Sequence, residues 1–190
     1  MPAQLTPDER MTLLKIARQS LIDAANNRPA TPLPENLTPA LLDVGASFVT
    51  LTVRGQLRGC IGTLEAYQPL AKDVRQRAAQ AATQDYRFPK VRPSEVDLIH
   101  IEISRLTKPE PLPYSDPAEL PKLLRPHVDG VVLSDGMHQA TFLPQVWEQL
   151  PDPAEFLSHL CQKMGTQSDL WRRRLLSVEI YQVEEFDENK

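Results

Sequence analysis

The sequence predicts an α+β fold, in which a largely antiparallel sheet is flanked by helices. Two pairs of segments have the pattern of β-hairpins, and the helical segments do not alternate regularly with the strands as they do in α/β folds. The chain has 190 residues, of which 41% are hydrophobic and 24% are charged. These proportions are typical of an ordinary globular protein, and we expect a single folding unit with room for a small appended lobe.

Prolines mark the starts of the predicted helices. Thr6 precedes a proline and stands three residues before Glu9, which is the pattern of an N-cap with a capping box. We therefore predict a helix over residues 7–26. An Asp-Pro step at Asp152 begins another helix, which Gly165 ends.

The strands are predicted from alternating apolar and polar residues. Residues 97–106 place isoleucines on one face and polar side chains, including Glu102 and Ser104, on the other. An alanine-rich stretch over residues 69–86 has apolar side chains at helical spacing and predicts an amphipathic helix. The predicted strands are residues 48–53, 57–63, 97–106, 130–134, 137–143 and 177–186.

Charge and cysteine usage argue against several classes of protein. The net charge of -4 and the pI near 5.6 argue against a dedicated nucleic-acid binder, which needs a positive field to neutralise phosphates. The two cysteines are far apart and the four histidines lack the spacing of a metal site, so we predict no metal and no cofactor. We expect the acidic residues 184–188 to be solvated.

We expect a cytoplasmic protein without a membrane segment. The first residues lack a basic region followed by an apolar stretch, so they do not have the pattern of a signal peptide. No apolar run approaches the roughly 20 residues that a membrane-spanning helix needs.

The segment Leu-Arg-Gly-Cys-Ile-Gly-Thr at residues 57–63 is the most informative part of the chain. Cys60 stands between Gly59 and Gly62, in a predicted strand where glycine is unfavourable. Such glycines mark a bulge or a close approach of another backbone. We therefore predict that this segment, including Arg58 and Thr63, lines a functional site.

The register of the first hairpin decides what Cys60 does. A two-residue loop would place Cys60 in an apolar layer with Val49 and Leu51, where it would pack as free cysteines commonly do. A three-residue loop would place Cys60 beside Thr50, on the same polar face as Arg58, whose guanidinium favours a thiolate. The sequence leaves both alternatives open, so Cys60 is either a packed residue or a nucleophile.

Five segments resemble, in the order in which they occur, the AMMECR domain family. They are residues 45–51, 57–63, 85–89 (Asp-Tyr-Arg-Phe-Pro), 102–104 and 143–146, and the Leu-Arg-Gly-Cys-Ile-Gly stretch is the most specific of them. The resemblance covers residues 6–186, which we take as one domain, and leaves residues 187–190 as a short polar tail. It implies a two-lobed α+β fold, without an established activity. Tyr86 departs from the proline that many members have, which leaves the shape of that turn open.

Prokaryotic members of this family are also called AmmeMemoRadiSam system protein A. The resemblance therefore implies two partners, a Memo-like protein related to extradiol dioxygenases and a radical SAM protein. These associations come from gene neighbourhood or gene fusion, so they imply a shared process without naming a reaction.

Further polar residues are candidates for the same site. In one interpretation, Glu102 acts as a general base while Arg58 and Arg87 hold an anion and Cys60 attacks or binds a ligand. Ser104 would lie beside Glu102, and Asp85 beside Arg87. In the alternative, Asp85 and Arg87 tie down the end of a helix and Glu102 pairs with an arginine across the sheet.

Three functions are compatible with these residues. The leading hypothesis is an accessory or modifying component of an AmmeMemoRadiSam-type system, with a pocket around residues 57–63 and with Cys60 and Glu102 as its catalytic residues. The first alternative is a non-catalytic module that docks a Memo-like or radical SAM partner. A weaker alternative, prompted by Arg75, Arg77 and the arginines at residues 172–174, is a nucleic-acid-associated regulator.

Overall fold

The computed structural model describes residues 4–188 and confirms the α+β fold with antiparallel sheets flanked by helices. The helices are α1 (Pro7–Ala25), α2 (Pro39–Leu42), α3 (Leu70–Thr83), α4 (Leu120–Leu123), α5 (Pro153–Lys163) and α6 (Leu170–Arg173). The strands are β1 (Val44–Val53), β2 (Gln56–Gly62), β3 (Gln68–Pro69), β4 (Ile99–Leu106), β5 (Glu110–Pro111), β6 (Gly130–Ser134), β7 (Gln139–Phe142), β8 (Ser177–Tyr181) and β9 (Val183–Asp187). Short 3-10 turns lie at Pro93–Leu98, Pro117–Glu119 and Pro144–Glu148.

The chain divides into two compact units. The first unit ends at Leu106 and also takes the C-terminal segment from Glu184 onward, while the second is Thr107–Val183. In the first unit the strand order is β2-β1-β4-β9, with β3 paired to the start of β1. β1 lies antiparallel to both β2 and β4, so it forms the centre of this sheet.

Helices α1 and α3 cover one face of the first sheet. Val49 and Leu51 of β1 and Ile101 and Ile103 of β4 are fully buried in a core that also contains the apolar stripes of both helices. Ala71, Ala78, Ala81 and Ala82 of α3 occupy that core, and their small size lets the helix approach the sheet closely. Since side chains alternate along a strand, the intervening residues of β1 and β4 lie on the opposite face.

The start of α1 is formed as its sequence predicts. The Thr6 hydroxyl accepts from the Glu9 amide at 3.3 Å, and the Glu9 carboxylate accepts from the Thr6 amide at 2.8 Å. Both bonds of a capping box are therefore present. In the second unit, Asp152 likewise caps α5, and Gly165 follows that helix with a φ of +84°.

The C-terminal strand differs from its prediction. Residues 177–186 form two strands, β8 in the second unit's sheet and β9 in the first unit's sheet. The expectation that residues 184–188 are solvated is wrong for Glu184, whose carboxylate lies 2.8 Å from Arg10 and 3.1 Å from Arg105. Glu188 is ion-paired with Arg18. These pairs attach the C-terminal segment to α1 and to the sheet.

The second unit is built on a four-stranded antiparallel sheet of order β5-β8-β6-β7. The hairpin of β6 and β7 is the one predicted from the Asp-Gly step, and Gly136 adopts a φ of +94° in its turn. Trp147 and Phe156 stack in its core with ring centroids 3.7 Å apart. Cys161 is fully buried in the same core.

Candidate functional site

The first hairpin combines a two-residue turn with a β-bulge. Arg54 and Gly55 have φ values of 52° and 76°, as in the type I′ turns that suit two-residue hairpins. The register then shifts between Leu51 and Thr52, so that Arg58 is an extra residue on β2. Because of this bulge Cys60 pairs with Thr50 and lies on the polar face of the sheet. The loop has two residues, and without the bulge that length would have placed Cys60 in the apolar layer.

The glycines on either side of Cys60 fit closely against neighbouring groups, as predicted. A Cβ atom at Gly59 would lie 2.3 Å from the Ala81 carbonyl oxygen of α3. A Cβ atom at Gly62 would lie 2.2 Å from the Phe48 ring. Gly59 therefore permits the close approach of α3, and Gly62 makes room for a cross-strand aromatic ring.

Cys60, Thr50 and Glu102 form a row across three strands. Thr50 is directly opposite Cys60 in one ladder and directly opposite Glu102 in the other, so all three side chains lie on the same face. The Thr50 hydroxyl donates to the Cys60 sulfur at 3.3 Å. Cys60 and Glu102 are two strand spacings apart, about 10 Å between backbones, so they do not touch.

Asp85 binds the free edge of β2. Its Oδ2 atom accepts from the Cys60 amide at 2.9 Å, and the buried carboxylate also accepts from Arg87 at 2.7 and 2.9 Å. The hydrogen bonds with the Arg87 guanidinium hold the pKa of Asp85 well below its usual range. Burial acts in the opposite direction, but its effect is smaller. Asp85 follows the end of α3 directly, so its carboxylate and Arg87 fasten this end of the helix to the edge of β2.

Arg58 is also engaged within the chain. Its guanidinium lies 3.0 Å from the Glu95 carboxylate and donates to the Pro89 carbonyl at 2.9 Å. Arg87 reaches the Cys60 carbonyl at 3.3 Å. Arg58 and Arg87 thus join residues 85–89 to β2, and each guanidinium already has a carboxylate partner, Glu95 for Arg58 and Asp85 for Arg87.

The surroundings of Glu102 differ from those of Asp85 and Arg58. Among residues 4–188, Glu102 forms no ion pair, either with an arginine across the sheet or with any other basic side chain. Burial raises the pKa of Glu102, and the carboxylates of Glu185 and Asp187 raise it further. Asp187 itself lies 3.3 Å from the His100 ring. A carboxyl group that keeps its proton more readily than usual therefore lies on the same face as Cys60.

The two remaining candidates lie at the ends of this region. Ser104 is buried and pairs with Phe48, one row along the sheet from Glu102. The Thr63 hydroxyl exchanges 3.2 Å hydrogen bonds with the Glu65 backbone in the turn after β2. Ser104 therefore lies next to the row of Cys60, Thr50 and Glu102, which we call the polar row, whereas Thr63 lies in a local turn.

A buried polar network in the first unit was not predicted from the sequence. The fully buried Asp73 accepts from the Ser47 amide and hydroxyl at 3.0 and 2.7 Å and lies 3.1 Å from Arg77. Arg77 also donates to the Tyr67 hydroxyl at 2.6 Å. The available signal was the four-residue spacing of Asp73 and Arg77 on α3. Since Arg77 is buried and paired, it is not exposed for phosphate contacts, which weakens the nucleic-acid alternative.

The partner of Arg58, Glu95, was not predicted from the sequence either. It lies in the 3-10 turn Pro93–Leu98, which has no periodic signal, and only the fold brings it to Arg58. Among residues 4–188, no three histidine, cysteine or acidic side chains converge in a group that could hold a metal ion. None of the helices in the same range has the length and apolarity needed to cross a membrane.

Comparisons with known proteins agree with this architecture. A protein of Methanothermobacter thermautotrophicus is 39% identical over 188 residues, covering 98% of both chains. A protein of Thermofilum pendens is 36% identical over 196 residues, covering 97% of this chain and 92% of its own. The crystal structure of an uncharacterized protein from Pyrococcus horikoshii superposes with a TM-score of 0.82 at 29% identity and covers 97% of this chain and 94% of its own.

The family model described as AMMECR1 matches residues 14–186. That range contains the bulged hairpin, the edge-binding segment at residues 85–89 and the row of Cys60, Thr50 and Glu102. The resemblance noted in the sequence is thereby confirmed over most of the chain, and the protein belongs to the AMMECR1 family.

Proposed function

We propose that the polar face of the first unit's sheet handles a small-molecule or peptide substrate, as an accessory or modifying component of an AmmeMemoRadiSam-type system. The observation that carries this proposal is the position of Glu102, which lies on the same face as Cys60 and close to two other carboxylates. Asp85 and Glu95, which have structural roles, each bind an arginine, and both have a lowered pKa. Glu102 has a raised pKa and lies near two more carboxylates, an arrangement that costs stability when the group is charged. Costly titratable groups of this kind cluster at functional sites.

The row supplies two chemical groups to one bound molecule. A substrate lying over Thr50 would contact Cys60 at one end and Glu102 at the other, because the two are about 10 Å apart. Glu102 would donate or accept a proton, since its raised pKa lies closer to the range that acid–base catalysis uses than that of an ordinary carboxyl group. Cys60, with the Thr50 hydroxyl directed at its sulfur, would be the nucleophile or a ligand contact.

The other predicted site residues would position the row. Gly59 and Gly62 allow β2 to lie close to α3 and to Phe48, and Asp85, Arg58 and Arg87 fix its edge. A positioned strand holds Cys60 in a constant place relative to Glu102. Ser104 and Thr63 would bound the substrate at the end of the sheet that carries Phe48.

A second candidate function is docking of a Memo-like or radical SAM partner without catalysis. The observation in its favour is Tyr86, which is 96% exposed and stands beside the half-exposed Arg87. Tyrosine and arginine are enriched among the residues that dominate binding energy at interfaces. Because Asp85 already fixes this turn, a partner would meet a preorganised surface.

Reconstitution of the three proteins from one genome tests both candidates. We expect Cys60→Ser and Glu102→Gln to abolish product formation while partner binding, measured by isothermal titration calorimetry, stays unchanged. Cys161→Ser is the matched control, because that thiol is buried in the second unit's core. Unchanged product with both site variants, together with lost binding for Tyr86→Ala, would reject catalysis and support docking.

A further inference from the structure

A cavity lies within the first unit, away from the row of Cys60, Thr50 and Glu102. It is bounded by α1, by α3 and by the loop that joins α1 to α2, and its volume is about 430 Å³. Sites for small molecules have volumes of about 300–1,000 Å³. The cavity therefore has the size of a small-molecule site, and no residue of the polar row lines it.

The loop over this cavity is fastened at Thr31. The Thr31 amide donates to the buried Asp23 carboxylate at 2.8 Å, and the Thr31 carbonyl accepts from Arg75 at 3.1 Å. Prolines on the two sides of Leu33 stiffen the segment further, since each fixes its own φ. The cavity is thus formed before any ligand arrives, which lowers the conformational cost of binding.

The cavity wall combines an apolar surface with two cations. Ile16, Leu33 and the two flanking prolines supply the apolar part. Lys15 and Arg75 supply the cations, and neither is ion-paired with any of residues 4–188. Asp23 is the one acidic residue in the lining, and its two oxygens are already bound by Gln19 and Thr31 at 2.9 and 2.8 Å.

We propose that this cavity binds a small amphipathic carboxylate. Its acid group would pair with Lys15 and with the guanidinium nitrogens of Arg75 that do not bind Thr31. Its hydrocarbon body would lie against Ile16 and Leu33. Two cations opposed by one satisfied carboxylate suit a single negative charge better than a polyanion such as a nucleotide.

Octanoate is the probe, because it joins one carboxylate to an unbranched apolar chain. Amide resonances of 15N-labelled full-length protein are followed during titration with octanoate, and octylamine has the same chain with the opposite charge. We expect saturable shifts confined to residues 12–36 and 75 with octanoate, and at least about tenfold weaker binding of octylamine. Equal binding of the two probes, or shifts spread over the whole protein, would overturn the proposal.

Two variants locate the carboxylate. The Lys15 side chain is exposed and forms no ion pair with any described residue, and Lys15→Gln is expected to weaken octanoate binding by about two- to fivefold. Arg75→Gln is expected to weaken it more, although it also removes the bond to Thr31. Lys72→Gln is the matched control, because Lys72 is exposed on the same helix outside the cavity. Unchanged affinity in Lys15→Gln and Arg75→Gln would reject the assignment, whatever the outcome for Cys60.

Discussion

The backbone amide of Cys60 donates to the carboxylate of Asp85 at 2.9 Å, and this bond closes the free edge of the sheet at the most distinctive segment of the chain. Unpaired strand edges are sites of unwanted pairing with other chains. Here a buried carboxylate takes the place of a neighbouring strand, and Arg87 neutralises it at 2.7 Å. Residues 57–63 and residues 85–89, two of the segments that carry the resemblance to the family, therefore support each other.

Asp85→Ala should destabilise the protein. We expect the free energy of unfolding in urea at neutral pH to fall by about 1–3 kcal/mol, because the Cys60 amide loses its acceptor. Asp85→Asn should lose less, since the amide oxygen still accepts that bond. Equal stability of Asp85→Ala and the unmodified protein would mean that the carboxylate does not hold the edge.

Asp85 should also make stability fall in acid. Its pKa is lowered in the folded protein, chiefly by Arg87, so its contribution is present above the ordinary value of 3.8 and is lost as pH falls through the folded pKa. Asp85→Asn should therefore show a shallower loss of stability below pH 3.8 in urea titrations. A parallel acid dependence in both proteins would contradict this assignment.

Glu102→Gln should have the opposite effect and stabilise the protein at neutral pH. The pKa of Glu102 is raised by burial and by Glu185 and Asp187, so the folded state loses stability as pH rises above the ordinary value of 4.5. Removing the charge should raise the free energy of unfolding by about 0.5 kcal/mol at neutral pH. The difference should disappear below pH 4.5, where Glu102 is protonated in both states.

Glu95→Gln is the matched control for that experiment. The pKa of Glu95 is lowered, first by its hydrogen bond with Arg58, so its charge stabilises the fold at neutral pH. We expect this variant to be less stable than the unmodified protein under the conditions in which Glu102→Gln is more stable. The same sign for both substitutions would show that Glu102 is an ordinary structural carboxylate.

Arg77→Met should be the most destabilising of these substitutions. It leaves the fully buried Asp73 without the guanidinium 3.1 Å away, and breaking a buried ion pair from one side costs about 3–5 kcal/mol. The double variant Asp73→Asn/Arg77→Met should be more stable than Arg77→Met alone, since asparagine still accepts from Ser47 without a charge. Chemical denaturation of both variants measures the difference, and a less stable double variant would contradict the argument.

Local sequence signals predicted the elements better than their assembly. The capping box at Thr6 and the alternation over β4 depend on neighbouring residues, so they could be read directly from the chain. The bulge at Arg58 could not, because an extra residue in a ladder depends on how β1 and α3 pack against β2. That bulge reverses the face on which Cys60 lies, so the sequence could state the two alternatives for Cys60 without choosing between them.

Partners distant in sequence explain the remaining differences. Arg58 meets Glu95, which is 37 residues away, and Glu184 meets Arg10, which is 174 residues away. No periodicity relates such pairs, so the sequence could not predict the partner of Arg58 or the ion pairs of Glu184. Glu102 was predicted correctly to lie on the polar face of its strand. Its raised pKa could not be predicted, because part of it comes from Glu185 and Asp187 of β9, which only the fold brings close.

The reactivity of Cys60 decides between the two proposed functions of the polar row. Cys60 is partly exposed and Cys161 is fully buried, so iodoacetamide should modify Cys60 first in the native protein, with each site followed by mass spectrometry. Thr50→Val removes the hydroxyl that donates to the sulfur at 3.3 Å, so a changed rate of modification in this variant would show that the hydrogen bond acts on the reacting sulfur. If Cys60 reacts only after denaturation, its thiol is packed against the sheet, attack on a substrate is excluded, and the exposed Tyr86 surface becomes the functional part of this unit.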